Sequence, residues 1–179
     1  MAVEESADGA AQRPIPIERA LAHKMQNEIC AGVAVVTVQR GRHPVGFWCR
    51  SVVSASVEPP HILICAPRPD RGSSPIRLGD GICVNILAAD QSDLSAKFTS
   101  ASAEAGLAGL RWHRGTNGAP VIDNAVATIE ADVTCEQLVA QHLILVAHMT
   151  SVAAYEHREP LVVYRGAYGR FSQQLVFDG

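Results

Sequence analysis

The order of apolar and polar positions along the chain is typical of a protein built mostly from β-strands. Short apolar or alternating runs follow one another, and turn-forming stretches such as QRGRHP and TNGAP separate several of them. At most three helices fit between these runs, too few to connect parallel strands. We therefore predict an all-β barrel or sandwich, with strands over residues 32–39, 45–57, 61–66, 81–87, 126–138, 142–156, 161–164 and 170–177.

A few stretches carry helical spacing instead. Near the start of the chain, apolar residues repeat every four positions, at Ile17, Leu21, Met25 and Ile29. This spacing predicts a helix over residues 17–29, ended by Gly32. A pair of apolar residues four apart predicts a short helix within residues 90–100, and another is expected near residues 74–78. Residues 1–14 are predicted to form a disordered tail, and residues 15–179 a single domain.

Composition narrows the kinds of partner. The 179 residues are 47% hydrophobic and only 18% charged, so part of the surface is expected to be covered by a second subunit of a homo-oligomer. The formal net charge is −3 and the arginines are scattered, which argues against nucleic acid as a partner. The sequence shows no apolar span of 18 residues and no signal-peptide pattern. We therefore expect a cytoplasmic protein that acts on small molecules without contacting a membrane.

The residues capable of metal or nucleophilic chemistry show no recognised spacing. The five cysteines include no CxxC pair and four lie in apolar runs, which is typical of reduced packing cysteines in cytosolic proteins. The seven histidines form no HExxH or similar paired pattern, so no metal site is expected. GxGxxG, P-loop and GxSxG motifs do not occur either, so the Rossmann, P-loop and α/β-hydrolase classes have no support.

Two stretches could hold a ligand. The loop PRPDRGSSP at residues 67–75 combines two arginines, a glycine and two serines, a composition that suits either an anion-binding nest or a solvated turn. Trp48 either fills the core or forms a flat wall against an aromatic ligand. Arg50 is predicted on the same strand face, and a guanidinium is costly to bury without a partner. This face is therefore predicted to open to a pocket, an interface or water.

Six stretches together resemble the flavin reductase-like family, and they cover nearly all of residues 30–170. They are GVAVVTV (32–38), PVGFWCRSVVSASVEPPHILICA (44–66), VNILAADQSDLSAKF (84–98), GAPVIDNAVATIEADV (118–133), QHLILVAHMTSV (141–152) and PLVVYRGAYGRF (160–171). The resemblance implies a split β-barrel, Greek-key-like, with an N-terminal helix and one or two short helices. It also implies a homodimeric NAD(P)H-dependent oxidoreductase that supplies reduced FMN or FAD to a partner flavin-dependent monooxygenase.

The resemblance implies roles for individual residues as well. Ser51 and nearby main chain would contact the flavin ring, with Trp48 and Tyr168 also at the cofactor site. The flavin phosphate would be held by Arg50 and by the 67–74 loop, through Arg71, Gly72, Ser73 and Ser74. His142 matches a histidine near the nicotinamide and is the expected catalytic residue. The alternative for His142 is a strand residue satisfied at a dimer interface.

The departures from the family pattern fall together at the flavin site. Trp48 stands where family members commonly have threonine, Arg50 where they have serine, and residues 69–72 where they have hydroxyl residues. In one account the flavin is kept, with Arg50 and Arg71 contacting phosphate and Trp48 stacking on or beside the ring. In the other, Trp48 fills the space of the ring. The barrel would then be a non-redox catalyst of the cyclase or isomerase type, or a binder of an apolar small molecule, with Phe47, Trp48, Trp112 and Tyr168 lining its pocket.

Overall fold

The computed structural model describes residues 18–67, 76–100, 107–140 and 142–171. Within these ranges lie two α-helices, α1 (Arg19–Asn27) and α2 (Ser92–Ser100), and α2 follows a 3-10 turn at Ala89–Gln91. The strands are β1 (Ala31–Gly32), β2 (Ala34–Arg40), β3 (His43–Cys49), β4 (Val52–Val57), β5 (Pro60–Pro67), β6 (Gly81–Ile86), β7 (Trp112–Arg114), β8 (Pro120–Ile122), β9 (Ala127–Val139), β10 (His142–Ala154), β11 (Leu161–Tyr164) and β12 (Ala167–Arg170).

Seven strands form one antiparallel sheet in the order β3-β2-β6-β9-β10-β5-β4. The two edge strands, β3 and β4, are consecutive in the chain and are joined by only Arg50 and Ser51. So short a connection between opposite edges is possible only if the sheet curls back on itself. The result is a barrel left open between β3 and β4, and it confirms the predicted all-β class and split-barrel architecture.

Each face of the curled sheet buries its own apolar cluster. The inner face holds the main core, which includes Val36, Ile64, Ile82 and Leu145. The outer face of β2 is covered by α2 and β11, and there Val33, Val35, Leu87, Phe98 and Leu161 form a second cluster. Because β2 is buried on both faces, its sequence is an almost unbroken apolar run. Two small sheets, β1-β11-β12 and β7-β8, complete the described architecture.

Several predicted element bounds are wrong. The single strand predicted over 45–57 is two strands, because the chain turns at Arg50 and Ser51. Arg50 therefore lies beyond the end of β3, not on a strand face shared with Trp48. Residues 76–78 form part of a turn, so the part of the predicted 74–78 helix that the structure describes is not helical. The predicted tail and residues 172–177 of the last predicted strand lie outside the described residues.

The two other predicted helices are present. Helix α2 occupies most of the predicted 90–100 segment, and α1 is shorter than the predicted 17–29. The apolar face predicted for α1 does not enter the core, since Leu21, Met25 and the following Ile29 are all exposed. This part of the molecule therefore presents an apolar surface beside the opening of the barrel.

Candidate functional site

A pocket of about 530 Å³ lies where β3 turns into β4. Its walls come from the end of α1, from β1, from the β3–β4 corner, and from facing residues of β5 and β10. The lining residues are Gln26, Ile29, Ala31, Trp48, Cys49, Arg50, Ser51, Cys65 and His142. The structure thus brings four predicted site residues, Trp48, Arg50, Ser51 and His142, to one place.

The corner between β3 and β4 is fixed by three hydrogen bonds. The backbone N–H of Ser51 donates to Cys49 Sγ at 3.4 Å, and the Cys49 thiol donates to the Cys65 carbonyl at 3.5 Å. The backbone N–H of Cys65 donates to the Ser51 carbonyl at 2.9 Å. Burial raises the pKa of Cys49 to about 11, so the thiol keeps the proton that this arrangement needs. These hydrogen bonds fix the backbone at the corner and so determine the position of Arg50.

Arg50 is half-buried, and among the described residues no side chain or carbonyl pairs with its guanidinium. A guanidinium carries five N–H donors, and withdrawing them from water without acceptors is unfavourable. Arg50 also lines a second, mostly apolar pocket of about 470 Å³, which shares Ile29, Ala31 and Ser51 with the first. The guanidinium thus lies between two adjoining pockets, where it can bind an anion.

The indole of Trp48 is fixed at one edge. Its Nε1–H donates to Ser95 Oγ on α2 at 2.8 Å, and the same oxygen lies 2.9 Å from the hydroxyl of Tyr168 on β12. The rest of the half-buried ring packs against the outer apolar cluster and reaches the pocket. Tyr168, a predicted cofactor residue, is not among the pocket residues and contacts this network instead.

The remaining predicted residues are placed as follows. His142 begins β10 opposite the end of β5, with an exposed imidazole at the pocket. Arg71, Gly72, Ser73 and Ser74 lie outside the described residues, so their predicted role in phosphate binding stays a prediction. Phe47 packs in the inner core, and Trp112 lies on β7.

Sequence reasoning missed the contribution of α1 to the pocket. Gln26 and Ile29 reach it because the end of the helix is held against the β11–β12 turn. Glu28 accepts hydrogen bonds from Arg165 Nη2 at 2.8 Å and from the Tyr164 hydroxyl at 3.0 Å, and the Arg165 backbone N–H donates to the Asn27 carbonyl. These contacts join parts of the chain far apart in sequence, so no local pattern indicates them.

Two further findings concern the described ranges only. No group of three or more His, Cys, Asp or Glu side chains is arranged there to hold a metal ion. None of the helices described is long and apolar enough to cross a membrane.

Comparisons with known proteins identify the family of the chain. The chain matches the flavin reductase like domain over residues 25–172. It is 33% identical over 144 residues to the flavin-dependent monooxygenase reductase subunit HsaB of Mycobacterium tuberculosis, covering 79% of this chain and 76% of the relative. It is 39% identical over 134 residues to the actinorhodin polyketide dimerase of Streptomyces coelicolor, covering 74% and 75%.

A solved structure extends the comparison to the fold. The NADH:FAD oxidoreductase SgcE6 of Streptomyces globisporus, in complex with NAD and FAD fragments, superposes with a TM-score of 0.78 at 26% identity. The superposition covers 92% of this chain and 99% of that one. On the family match, the sequence identities and the shared fold together, the chain belongs to the flavin reductase-like family.

Proposed function

We propose that the protein is an NAD(P)H-dependent flavin reductase that supplies reduced FMN or FAD to a partner monooxygenase. The observation that carries this proposal is the half-buried guanidinium of Arg50, which has no partner among the described residues and lines a pocket with Trp48, Ser51 and His142. Relatives named as a monooxygenase reductase subunit and as an NADH:FAD oxidoreductase support the same reaction. The pocket volume also falls within the range of roughly 300–1,000 Å³ common for small-molecule sites.

The residues present fit a flavin nucleotide. Arg50 can donate charge-assisted hydrogen bonds to the phosphate, which a neutral hydroxyl would hold less strongly. The exposed Ser51 can contact the polar edge of the ring, and Trp48 offers an aromatic wall. When bound, the flavin supplies the hydride chemistry, and the protein aligns and shields the reactants. His142, at the pocket rim, is placed to position the nicotinamide by hydrogen bonding.

The proposal includes the assembly and location of the protein. Exposed apolar side chains on α1 and β4 support a homodimer, because a second subunit would cover them. The partner monooxygenase is proposed from the relative that is named as a reductase subunit. All five cysteines are free, which supports the cytoplasm as the location.

Flavin titration and NAD(P)H oxidation test the proposal. We expect saturable binding of FMN or FAD, seen as quenching of flavin or tryptophan fluorescence, and oxidation of NADH or NADPH that requires added flavin. His142→Gln should raise the KM for the nicotinamide nucleotide and leave the flavin Kd unchanged. A protein that neither binds flavin nor oxidises NAD(P)H when flavin is added would overturn the proposal.

The same titration tests the non-redox alternative. That alternative supposes that Trp48 occupies the space of the flavin ring. The bond from Trp48 Nε1 to Ser95 holds one edge of the indole at α2, and a pocket of about 530 Å³ remains beside the ring. This arrangement favours the reductase.

A further inference from the structure

We propose that Ser95 is a positioning residue of the flavin pocket. Its hydroxyl holds the indole of Trp48 in one orientation, so that the ring forms a fixed wall of the pocket and leaves the slot beside it open. Ser95 itself does not line the pocket, and it acts through Trp48. The inference rests on the proposed flavin-binding function and names a residue outside the pocket that sets its shape.

Ser95 is fully buried and its hydroxyl makes two side-chain hydrogen bonds, and we call it the anchor of the indole. Its side chain is 0% exposed and lies on the face of α2 that packs against β3. Its oxygen accepts the Trp48 Nε1–H at 2.8 Å and forms a second hydrogen bond with the Tyr168 hydroxyl at 2.9 Å. Three elements, β3, α2 and β12, therefore meet at a single oxygen atom.

The position of α2 is fixed next to this anchor. Phe98, three residues after Ser95 and so on the same helix face, lies directly over Gly46, two residues before Trp48 on the same strand face. A Cβ added at Gly46 would come within 2.9 Å of the Phe98 ring. Any other residue at position 46 would require the Phe98 ring to shift, so Gly46 permits the close approach of α2 to β3 that places Ser95 at hydrogen-bond distance from the indole.

The energetic preference follows from the single polar atom of the indole. An indole N–H that is withdrawn from water without an acceptor is unfavourable, so the ring favours the orientation in which Nε1 donates to Ser95. Without that acceptor, the hydrogen bond that holds the indole at α2 is lost. The ring can then turn toward the pocket, which is the open space beside it. A bulky ring that swings into the pocket would compete with a bound flavin.

The test measures FMN affinity in a Trp112→Phe background, in which Trp48 is the remaining tryptophan. Ser95→Ala removes the acceptor, and Ser95→Cys keeps the volume with a much weaker acceptor. We expect both to raise the FMN Kd by about 5-fold or more, and to shift the apo-protein tryptophan emission to the red as the ring meets water. Ser92→Ala, one turn earlier on α2, is the matched control, because it removes a serine hydroxyl from the same helix, leaves the Trp48–Ser95 bond in place and should change the Kd little.

A double-mutant cycle with Trp48→Phe separates positioning from general support. If Ser95 acts through the indole, Ser95→Ala has no further effect on the Kd once Trp48 is phenylalanine. An equal loss in both backgrounds would overturn the proposal, as would an unchanged Kd and emission in Ser95→Cys, or an equal loss in Ser92→Ala. If the Trp112→Phe parent binds no FMN, the same Ser95 variants are titrated in the otherwise unmutated protein, and absence of FMN binding by the unmutated protein would overturn the proposed function itself.

Discussion

At the scale of single residues, the Arg50 guanidinium is the pocket group that an anionic ligand should stabilise most. The Arg50 guanidinium is half-buried and has no partner among the residues described. Its partial withdrawal from water is unfavourable in the free protein. An anion at this position would offset that cost, so the side chain favours ligands that carry phosphate over those that do not.

The Arg50→Gln variant should distinguish a contact with the flavin phosphate from a contact with the flavin ring. We expect the FMN Kd to rise by about 10-fold or more, as for the loss of a hydrogen bond to a charged group, while the Kd of riboflavin, which has no phosphate, changes little. Calorimetric titration of both ligands measures this. Arg42→Gln, at an exposed arginine of the β2–β3 turn, is the control and should leave both values unchanged. Equal losses for the two ligands would refute a phosphate contact.

The cysteines should report occupancy of the pocket. Burial raises the pKa of Cys49 to about 11 and that of Cys83 to about 12, so neither is expected to react with iodoacetamide in the native protein near pH 7.5. Cys30 and Cys135 are exposed and should react readily. Cys65 lines the pocket, so flavin should slow its alkylation but not that of Cys135, as followed by peptide mass spectrometry. Alkylation of Cys65 at the same rate with saturating flavin would contradict this.

The unusual residues of the site were visible in the sequence, but their partners were not. Trp48 and Arg50 stand out because a bulky ring and a charge interrupt a strand-like run. Ser95 is 47 positions from Trp48, in a helix whose polar residues look solvent-facing from sequence alone. Only the close approach of α2 to β3, which Gly46 permits, turns that serine into an anchor.

At the scale of elements, strand and helix spacing predicted most segments, while the corner at residues 50–51 was missed. The corner contains no glycine or proline, the usual signals of a turn. It is held instead by hydrogen bonds among Cys49, Ser51 and Cys65, and the last of these belongs to a different strand. A turn stabilised by a distant strand leaves no local signal.

Helix α1 should depend on Glu28 for its local order. Arg165 and Tyr164 both donate to the Glu28 carboxylate, but exposed ion pairs contribute little to global stability because solvent screens them. Glu28→Gln should therefore leave the global Tm nearly unchanged and accelerate hydrogen exchange of the α1 amides, measured by mass spectrometry. Glu156→Gln, at an exposed carboxylate that forms no ion pair with the described residues, is the control. Unaltered exchange in Glu28→Gln would mean that other contacts hold the helix.

The ion pair between Arg40, at the end of β2, and Asp80, just before β6, should contribute a stability that depends on pH. Burial raises the pKa of Asp80, but hydrogen bonds from Arg40 and from the Arg77 backbone N–H together lower it more, so the pKa lies below its ordinary value. The stabilisation is complete above the pKa of unfolded aspartate, near 3.9, and is lost as the pH falls through the lower folded value.

Asp80→Asn tests the contribution of this ion pair. The variant should be less stable than the wild type at pH 7, and the difference in unfolding free energy should shrink as the pH falls from 5 toward 3. Urea unfolding at several pH values measures the difference. Asp132→Asn, at an exposed carboxylate on β9, should show no such convergence. A difference that stays constant with pH would exclude the ionised carboxylate as its cause.

At the scale of the whole molecule, many large apolar side chains are exposed on the described surface. Val57 is 85% and Val152 67% exposed, and Val53, Leu138 and Val139 are exposed as well. Val53 and Val57 lie on β4, an edge strand, where an uncovered apolar surface invites association. This pattern agrees with the low charged fraction of the sequence.

A dimer should therefore be the dominant species in solution. Sedimentation equilibrium is expected to give twice the monomer mass, and the combined change Val57→Asp and Val152→Asp should shift the population toward monomer by placing charges on the apolar surface. Thr134→Asp, at an exposed polar position of β9, is the matched control. A wild-type protein that sediments as a monomer at about 10–50 μM, well above the Kd of a stable dimer, would contradict the prediction.

The contact between α1 and the β11–β12 turn also bears on the order of events during synthesis. The pocket takes residues from position 26 to position 142, and the helix that supplies the first of them is held by residues 164 and 165. A nascent chain still inside the ribosome beyond that point lacks the groups that close the site. Flavin nucleotide is therefore expected to stabilise the chain only after residues 164 and 165 have left the ribosome.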